Sequence, residues 1–127
     1  MAKTKSKKSY NICLDIGGTK VLGAIIDEKK KIIYRLKKKT KESGNSSDNV
    51  EQVIISVVEE MIKESGIKKD SIKAIAAGAP GVIDQEKGII FFSPNLPWRD
   101  YDIKTPLEKK FGVPFYIGND VNVGVLG

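Results

Sequence analysis

Asn11-Ile12-Cys13-Leu14-Asp15-Ile16-Gly17-Gly18-Thr19-Lys20-Val21-Leu22-Gly23-Ala24-Ile25-Ile26-Asp27 is the stretch whose reading decides the fold. Two apolar, β-branched runs meet at Gly17-Gly18-Thr19-Lys20, which predicts a β-hairpin closed by a glycine-permitted turn. Asp15 falls near the end of the first run, where a buried strand opens toward that turn. Gly17 and Gly18 leave backbone N–H groups uncovered, so an anion can approach closely. Thr19 adds a hydroxyl, Lys20 a positive charge and Asp15 a carboxylate suited to a hydrated Mg2+. That set suits holding the phosphates of a nucleotide. An ordinary hairpin whose glycines serve only the turn fits the same residues. The stretch is not a P-loop, because Gly-x-x-x-x-Gly-Lys-Ser/Thr is missing, and it lacks the Gly-x-Gly-x-x-Gly dinucleotide fingerprint.

Composition narrows the chemistry. The 127 residues suffice for one core, and 40% hydrophobic with 30% charged residues is the balance of a soluble globular chain. No apolar run approaches the ~20 residues of a membrane span. Residues 1–9 are basic and read as a disordered tail without the cleavage site of a secretory signal. The single cysteine, Cys13, has no internal disulfide partner, which agrees with a cytoplasmic location. Its place in the first strand predicts inert packing in the core. The sequence has no histidine, so acid–base work falls to carboxylates, lysines or tyrosines. The net charge of +6 comes largely from lysine clusters at 3–8, 29–31 and 37–41. Neither interleaved aromatics nor a DNA-binding motif accompanies them, so a solvated basic surface and no nucleic-acid partner is the expectation.

Downstream of the hairpin, Lys31–Lys38 predicts a third antiparallel strand and residues 40–47 a polar loop. Val50, Val53, Ile54, Val57, Val58, Met61 and Ile62 recur at three- and four-residue steps, the apolar stripe of a helix. Asp48 and Glu51 form its capping box, and Gly66 takes the left-handed terminating position. Ile72–Ala79 reads as a buried strand of small residues ending at the Pro80-Gly81 turn. Val82–Asp84 and Gly88–Phe92 predict a hairpin, and Ser93–Asp100 a loop. Thr105, Pro106 and Glu108 start a short helix that stops at Gly112. Val113–Ile117 reads as a strand, Gly118-Asn119-Asp120 as a turn, and residues 121–127 as a tightly packed helix. This order predicts one α/β domain with a mixed sheet.

Gly118-Asn119-Asp120-Val121-Asn122 is the second chemical constellation. A carboxylate after a strand and before a helix stands where open α/β sheets place ligands. Asp120 could accept a proton from a sugar hydroxyl, or simply cap the following helix. Gly78-Ala79-Pro80-Gly81 is either a plain strand-ending turn or a close-approach surface. Ser93-Pro94-Asn95-Leu96-Pro97-Trp98 carries the only tryptophan, which could be a loop plug against Phe91 or Phe92.

Taken together, these four motifs, in this order, resemble the ROK family (repressors, open reading frames, kinases) of the actin-like sugar kinases. Asp15-Ile16-Gly17-Gly18-Thr19-Lys20 resembles its first phosphate motif, Gly78–Gly81 its Gly-x-Pro-Gly turn, Asn95–Trp98 its Asn-Leu-x-x-Trp loop and Asn119–Asn122 its Asn-Asp-Ala-Asn signature. Val121 replaces the common alanine, and the glycine often found before the tryptophan is missing here. The resemblance implies a ribonuclease-H-like half of the actin-like ATPase fold over residues 10–127, with a C-terminal domain absent from this chain. It implies ATP-dependent phosphorylation of a hexose, with glucose first among the candidates. Asp120 is then the catalytic base, Asn95, Asn119, Gly78, Pro80 and Gly81 contact the sugar, and Gly17, Gly18, Thr19 and Lys20 hold the ATP phosphates. Asp15 holds Mg2+ through water. Family members also carry a zinc cluster in the C-terminal domain and are often oligomers, so a homo-oligomer is expected of the full-length protein. One wall of a nucleotide cleft is expected to show negligible kinase activity by itself. The rival expectation is the sugar-sensing part of a regulator that binds sugar without phosphorylating it.

Overall fold

The computed structural model describes residues 8–18, 20–39, 47–93 and 99–119. Three strands open the chain: β1 (Tyr10–Ile16), β2 (Lys20–Asp27) and β3 (Ile32–Lys39). Helix α1 (Ser47–Ser65) leads to β4 (Ile72–Ala79), then β5 (Val82–Asp84), β6 (Ile89–Phe92) and β7 (Arg99–Asp102). Helix α2 (Lys104–Phe111) and β8 (Phe115–Asn119) complete the described part. Five strands form one mixed sheet in the order β3-β2-β1-β4-β8, and β5-β6-β7 form a smaller antiparallel sheet. The pairs β1·β2 and β2·β3 are antiparallel, while β1·β4 and β4·β8 are parallel. The predicted α/β class and mixed sheet are what the chain adopts.

Alternation along β1 explains how the sheet meets its helices. Ile12, Leu14 and Ile16 are buried, whereas Asn11 and Asp15 on the other face are exposed. Val50, Ile54, Val57, Val58 and Met61 of α1 bury against the first face with Val21 and Ile25, and Leu107 and Phe111 of α2 join the same core. Each such side chain contributes roughly 1.5–3 kcal/mol on full burial. The β-branched residues of α1 have modest helix propensity, so this packing is what keeps them helical. The ion pairs Lys38–Glu60 (2.8 Å) and Lys110–Glu59 (3.4 Å) join α1 to β3 and to α2, and being largely solvated they add little.

Gly23 sets how close α1 can come. A Cβ there would lie 2.8 Å from Val57 Cγ1 and 2.7 Å from Met61 Cε. Met61 can swing aside, but Val57 is held by the helix. Gly23→Val should therefore destabilise the protein by about 1–3 kcal/mol, read as a lower denaturation midpoint with an unchanged slope. Unaltered stability would show that α1 seats itself without this glycine.

Several local expectations meet corrections. Cys13 does not pack in the main core; β1 alternation turns it to the second face of the sheet, where it is half-buried. The segment read as a loop through Asp100 contains the start of β7, which Ile90 and Phe92 of β6 pair through Tyr101 and Arg99. A turn was expected at Gly118-Asn119, but β8 continues to Asn119 because Gly78 and Ala79 of β4 pair with both residues. The capping box at Thr105 and Glu108 does not form. Asp102 Oδ1 accepts the Thr105 N–H (3.0 Å), and Glu108 Oε2 accepts the Phe115 N–H (2.9 Å). Helix α1 begins at Ser47, which puts Asp48 inside its first turn rather than before it. Gly66 and Gly112 take the left-handed conformation at the ends of α1 and α2, as expected. The basic tail over residues 1–7, the polar loop over 40–46 and the helix over 121–127 lie outside the described residues.

Candidate functional site

The C-terminal ends of three parallel strands put the predicted residues on one edge. Asp15 is the penultimate residue of β1, Gly78 that of β4 and Gly118 that of β8. They are direct neighbours across the sheet, Asp15 beside Gly78 and Gly78 beside Gly118. At a strand spacing of about 4.8 Å, the Asp15 and Gly118 backbones stand about 10 Å apart. Asp15 is exposed; its neighbours across the sheet are Leu22 of β2 and Gly78 of β4, and the glycine leaves that side of it uncovered. Its carboxylate therefore faces open space on the second face of the sheet.

The hairpin forms as predicted. Gly17 donates its N–H to the Lys20 carbonyl (2.9 Å), which closes the chain between β1 and β2. Thr19 lies outside the described residues. Lys20 is exposed and stands directly opposite Lys39 of β3. Like charges directly opposed in a sheet repel, and among the described residues neither ammonium has an ion-pair partner. An anion at the turn would relieve that repulsion. Arg35 and Lys37, on the same face of β3, line an open groove of about 780 Å³ with Asp15, Leu22 and Gly78. Cys13 lines it too, and burial pushes its thiol above the usual cysteine range, so it is a poor nucleophile at neutral pH.

A single exposed carboxylate beside a glycine turn fits Mg2+, which keeps several waters and takes one or two carboxylates together with substrate phosphates. Among the described residues no group of three or more acidic or cysteine side chains forms a metal cage.

The Pro80-Gly81 turn follows β4 directly. Gly81 has φ +122°, and a Cβ there would lie 2.0 Å from the Phe92 carbonyl oxygen and 2.9 Å from Ser93 Cα. Ser93 is almost fully buried and donates its hydroxyl to the Pro80 carbonyl (2.7 Å). Sequence reasoning passed over Ser93 and Lys39, because nothing local marks either one. Asn95 and Asp120, like Trp98, lie outside the described residues, as does the side chain of Asn119, whose backbone ends β8. Arg99 covers Phe92, its guanidinium 4.6 Å from the ring centre.

No helix is long and apolar enough to cross a membrane among the described residues.

Comparison with known proteins places this geometry. Residues 11–127 match the ROK family. The chain is 30% identical over 117 residues to a glucokinase of Thermotoga maritima, covering 91% of this chain and 35% of that protein. It is 31% identical over 121 residues to a xylose repressor of Bacillus spizizenii, covering 95% of this chain and 31% of that protein. The structure superposes with a TM-score of 0.77 and 28% identity on a ROK family glucokinase from Streptomyces griseus in complex with glucose and AMPPNP, over 90% of this chain and 34% of that one. The chain thus spans about a third of the length of these relatives.

Proposed function

The chain belongs to the ROK family, whose relatives here include both glucokinases and repressors, and from that premise we propose that it is the N-terminal, ribonuclease-H-like domain of an ATP-dependent hexose kinase. Glucose, phosphorylated at its 6-hydroxyl, is the proposed substrate. The observation that carries this reading is the shared edge of β1, β4 and β8, with Asp15 and Gly78 side by side and Asn119 ending the third strand. Phosphate-holding, metal-holding and sugar-facing groups then meet within the width of three strands.

In this reading Gly17, Gly18 and Thr19 present amides and a hydroxyl to the ATP phosphates, and Lys20 supplies charge. Asp15 would hold Mg2+ through water; the ion supplies charge neutralisation between the phosphates when bound. The Gly78–Gly81 turn, Asn95 and Asn119 orient the sugar, and Asp120 accepts the proton of the attacking hydroxyl. Most of the acceleration in such a transfer comes from positioning and electrostatics, with the base adding about 10²–10⁴-fold. The second wall of the cleft belongs to a further domain, so this chain by itself is expected to be inactive.

The xylose repressor match favours a second reading, a sugar-sensing domain that binds without transferring phosphate. A coupled assay on the full-length protein with ATP, Mg2+ and a panel of hexoses separates the two. Formation of glucose 6-phosphate in preference to fructose, mannose and N-acetylated products supports the kinase. Sugar binding by calorimetry without turnover on any hexose transfers the assignment to the regulator.

A further inference from the structure

The three consecutive lysines that end β3 divide between two faces. Lys38 turns toward α1, where its ammonium meets the Glu60 carboxylate at 2.8 Å and donates to the Ser56 hydroxyl at 3.3 Å. Strand alternation sends Lys37 and Lys39 to the opposite face together with Arg35, and all three are exposed. Among the described residues none of the three has an ion-pair or hydrogen-bond partner, and neither has Lys20. Strand pairing sets the four cations in one strip: Lys39 is opposite Lys20, Lys37 opposite Leu22 and Arg35 opposite Ala24. Alternate residues of an antiparallel strand are about 6.8 Å apart, so the row from Lys39 to Arg35 spans about 14 Å. Lys20 and Lys39 stand beside the turn that Gly17 closes, and Lys37 and Arg35 line the open groove on the same face. Among the described residues, Asp15 is the only carboxylate that β1, β2 and β3 present on this face. It shares a row with Leu22 and Lys37, about 10 Å from the latter.

We propose that Lys39, Lys37 and Arg35 form, with Lys20, a linear site for a phosphate chain, which carries phosphate recognition from the first hairpin turn along the edge strand. The inference rests on the reading of that turn as a phosphate site under the proposed function. A single phosphate reaches only the Lys20 and Lys39 pair beside the turn. A row of evenly spaced cations is matched by a chain with negative charge at every link, either the tail of a nucleoside polyphosphate or a linear inorganic polyphosphate. An acidic peptide fits less well, because Asp15 repels its carboxylates. A phosphate chain instead brings Mg2+, which takes a carboxylate and phosphate oxygens together. Leu22 and Ala24 are what the cations face across β2, so no aromatic ring stands beside the row for a nucleic-acid base to stack on. β3 is an edge strand, and lysines there also discourage pairing with other chains. That role does not call for Lys20, on the interior strand β2, to face Lys39.

The test uses the full-length protein and two triple variants. One combines Arg35→Gln, Lys37→Gln and Lys39→Gln. The control combines Lys29→Gln, Lys30→Gln and Lys31→Gln, which removes the same charge at the other end of β3. All these side chains are exposed, so both variants are expected to fold. Calorimetry in the presence of Mg2+ measures affinity for tripolyphosphate, a longer polyphosphate, AMPPNP, a single-stranded oligonucleotide and glucose. Loss of the row should weaken tripolyphosphate binding about threefold per cation, and so about thirtyfold, as exposed ion pairs do. The control should stay within about threefold of the wild type, and glucose affinity within about twofold in both variants. Lys39→Gln by itself should cost about threefold, which keeps the test available if the triple variant does not fold. Equal weakening of AMPPNP supports the inference and assigns the row to the nucleotide's own phosphates. Weakening confined to the inorganic chains supports it and assigns the row to polyphosphate. Unchanged tripolyphosphate affinity overturns it, and so does equal weakening in the control, which marks a general effect of net charge. An oligonucleotide held more tightly than any phosphate chain, and lost with the row, overturns it in favour of nucleic acid. A wild type that binds tripolyphosphate through the row but not AMPPNP removes the proposed kinase and leaves the inference standing.

Discussion

Replacing Asp120 by asparagine in the full-length protein is expected to lower kcat for the hexose by about 10²–10⁴-fold while KM for the sugar stays within about threefold. The amide keeps the shape and a hydrogen bond to the sugar hydroxyl, so ground-state binding survives. What it loses is the ability to take the proton, a loss felt only as the hydroxyl attacks. That pattern, kcat and kcat/KM falling together, is the signature of a group acting in the transition state alone. A helix-capping role would give the opposite result, because asparagine caps as well as aspartate. The variant would then turn over near the wild-type rate, and the base would have to be sought elsewhere. If the full-length protein is a regulator, neither form phosphorylates sugar, and the hexose panel identifies that case beforehand.

Gly81→Ala is the second substitution with a large expected effect, this time on stability. Gly81 has φ +122°, a region L side chains rarely adopt, and the methyl would meet the Phe92 carbonyl oxygen at 2.0 Å. The obstruction is backbone, held by the β5·β6 pairing, so it has no rotamer to escape into. Conformational strain of about 1–3 kcal/mol and a further 1–3 kcal/mol of overpacking put the expected loss at about 2–6 kcal/mol. Against a total stability of about 5–15 kcal/mol for a native domain, that is a large fraction. Gly66→Ala is the control. Gly66 also has positive φ (+80°) but open space where the methyl would go, so its cost should be only about 1–2 kcal/mol. Denaturant unfolding of both variants measures the difference. Equal losses would mean that dihedral strain alone governs Gly81 and that its contact with β6 yields easily.

The elements of this protein were legible where local chemistry decides them. Alternation between Ile12 and Ile16 is a period-two signal, and the stripe from Val50 to Ile62 is a period-3.6 signal. Each survives in the fold because the same residues form the buried face. Gly66 and Gly112 were legible as helix ends because only glycine readily takes the left-handed conformation found there. The same logic misled at Thr105, where the sequence offered a complete capping box. The donor went to Asp102 instead, and Glu108 was drawn to the Phe115 N–H across the α2–β8 connection. A local motif lost to a tertiary partner. Strand β7 was missed because Arg99-Asp100-Tyr101-Asp102 has almost no β propensity of its own, and its pairing with β6 supplies what composition lacks.

For the candidate site the division is similar. By itself the sequence determined the glycine turn of the first hairpin, the Asp15 carboxylate beside it, and the small residues of Gly78–Gly81, because each depends on neighbours within a few positions. It also determined that none of the 127 residues given is a histidine. Only the tertiary structure decided that Asp15, Gly78 and Gly118 share one row, that Lys39 stands opposite Lys20, and that Ser93 closes on Pro80. Those relations follow from strand order and register, which are set by how the whole sheet buries its apolar face against α1 and α2. A shift of one residue in any strand would send its side chains to the other face, and no short stretch of sequence carries that information.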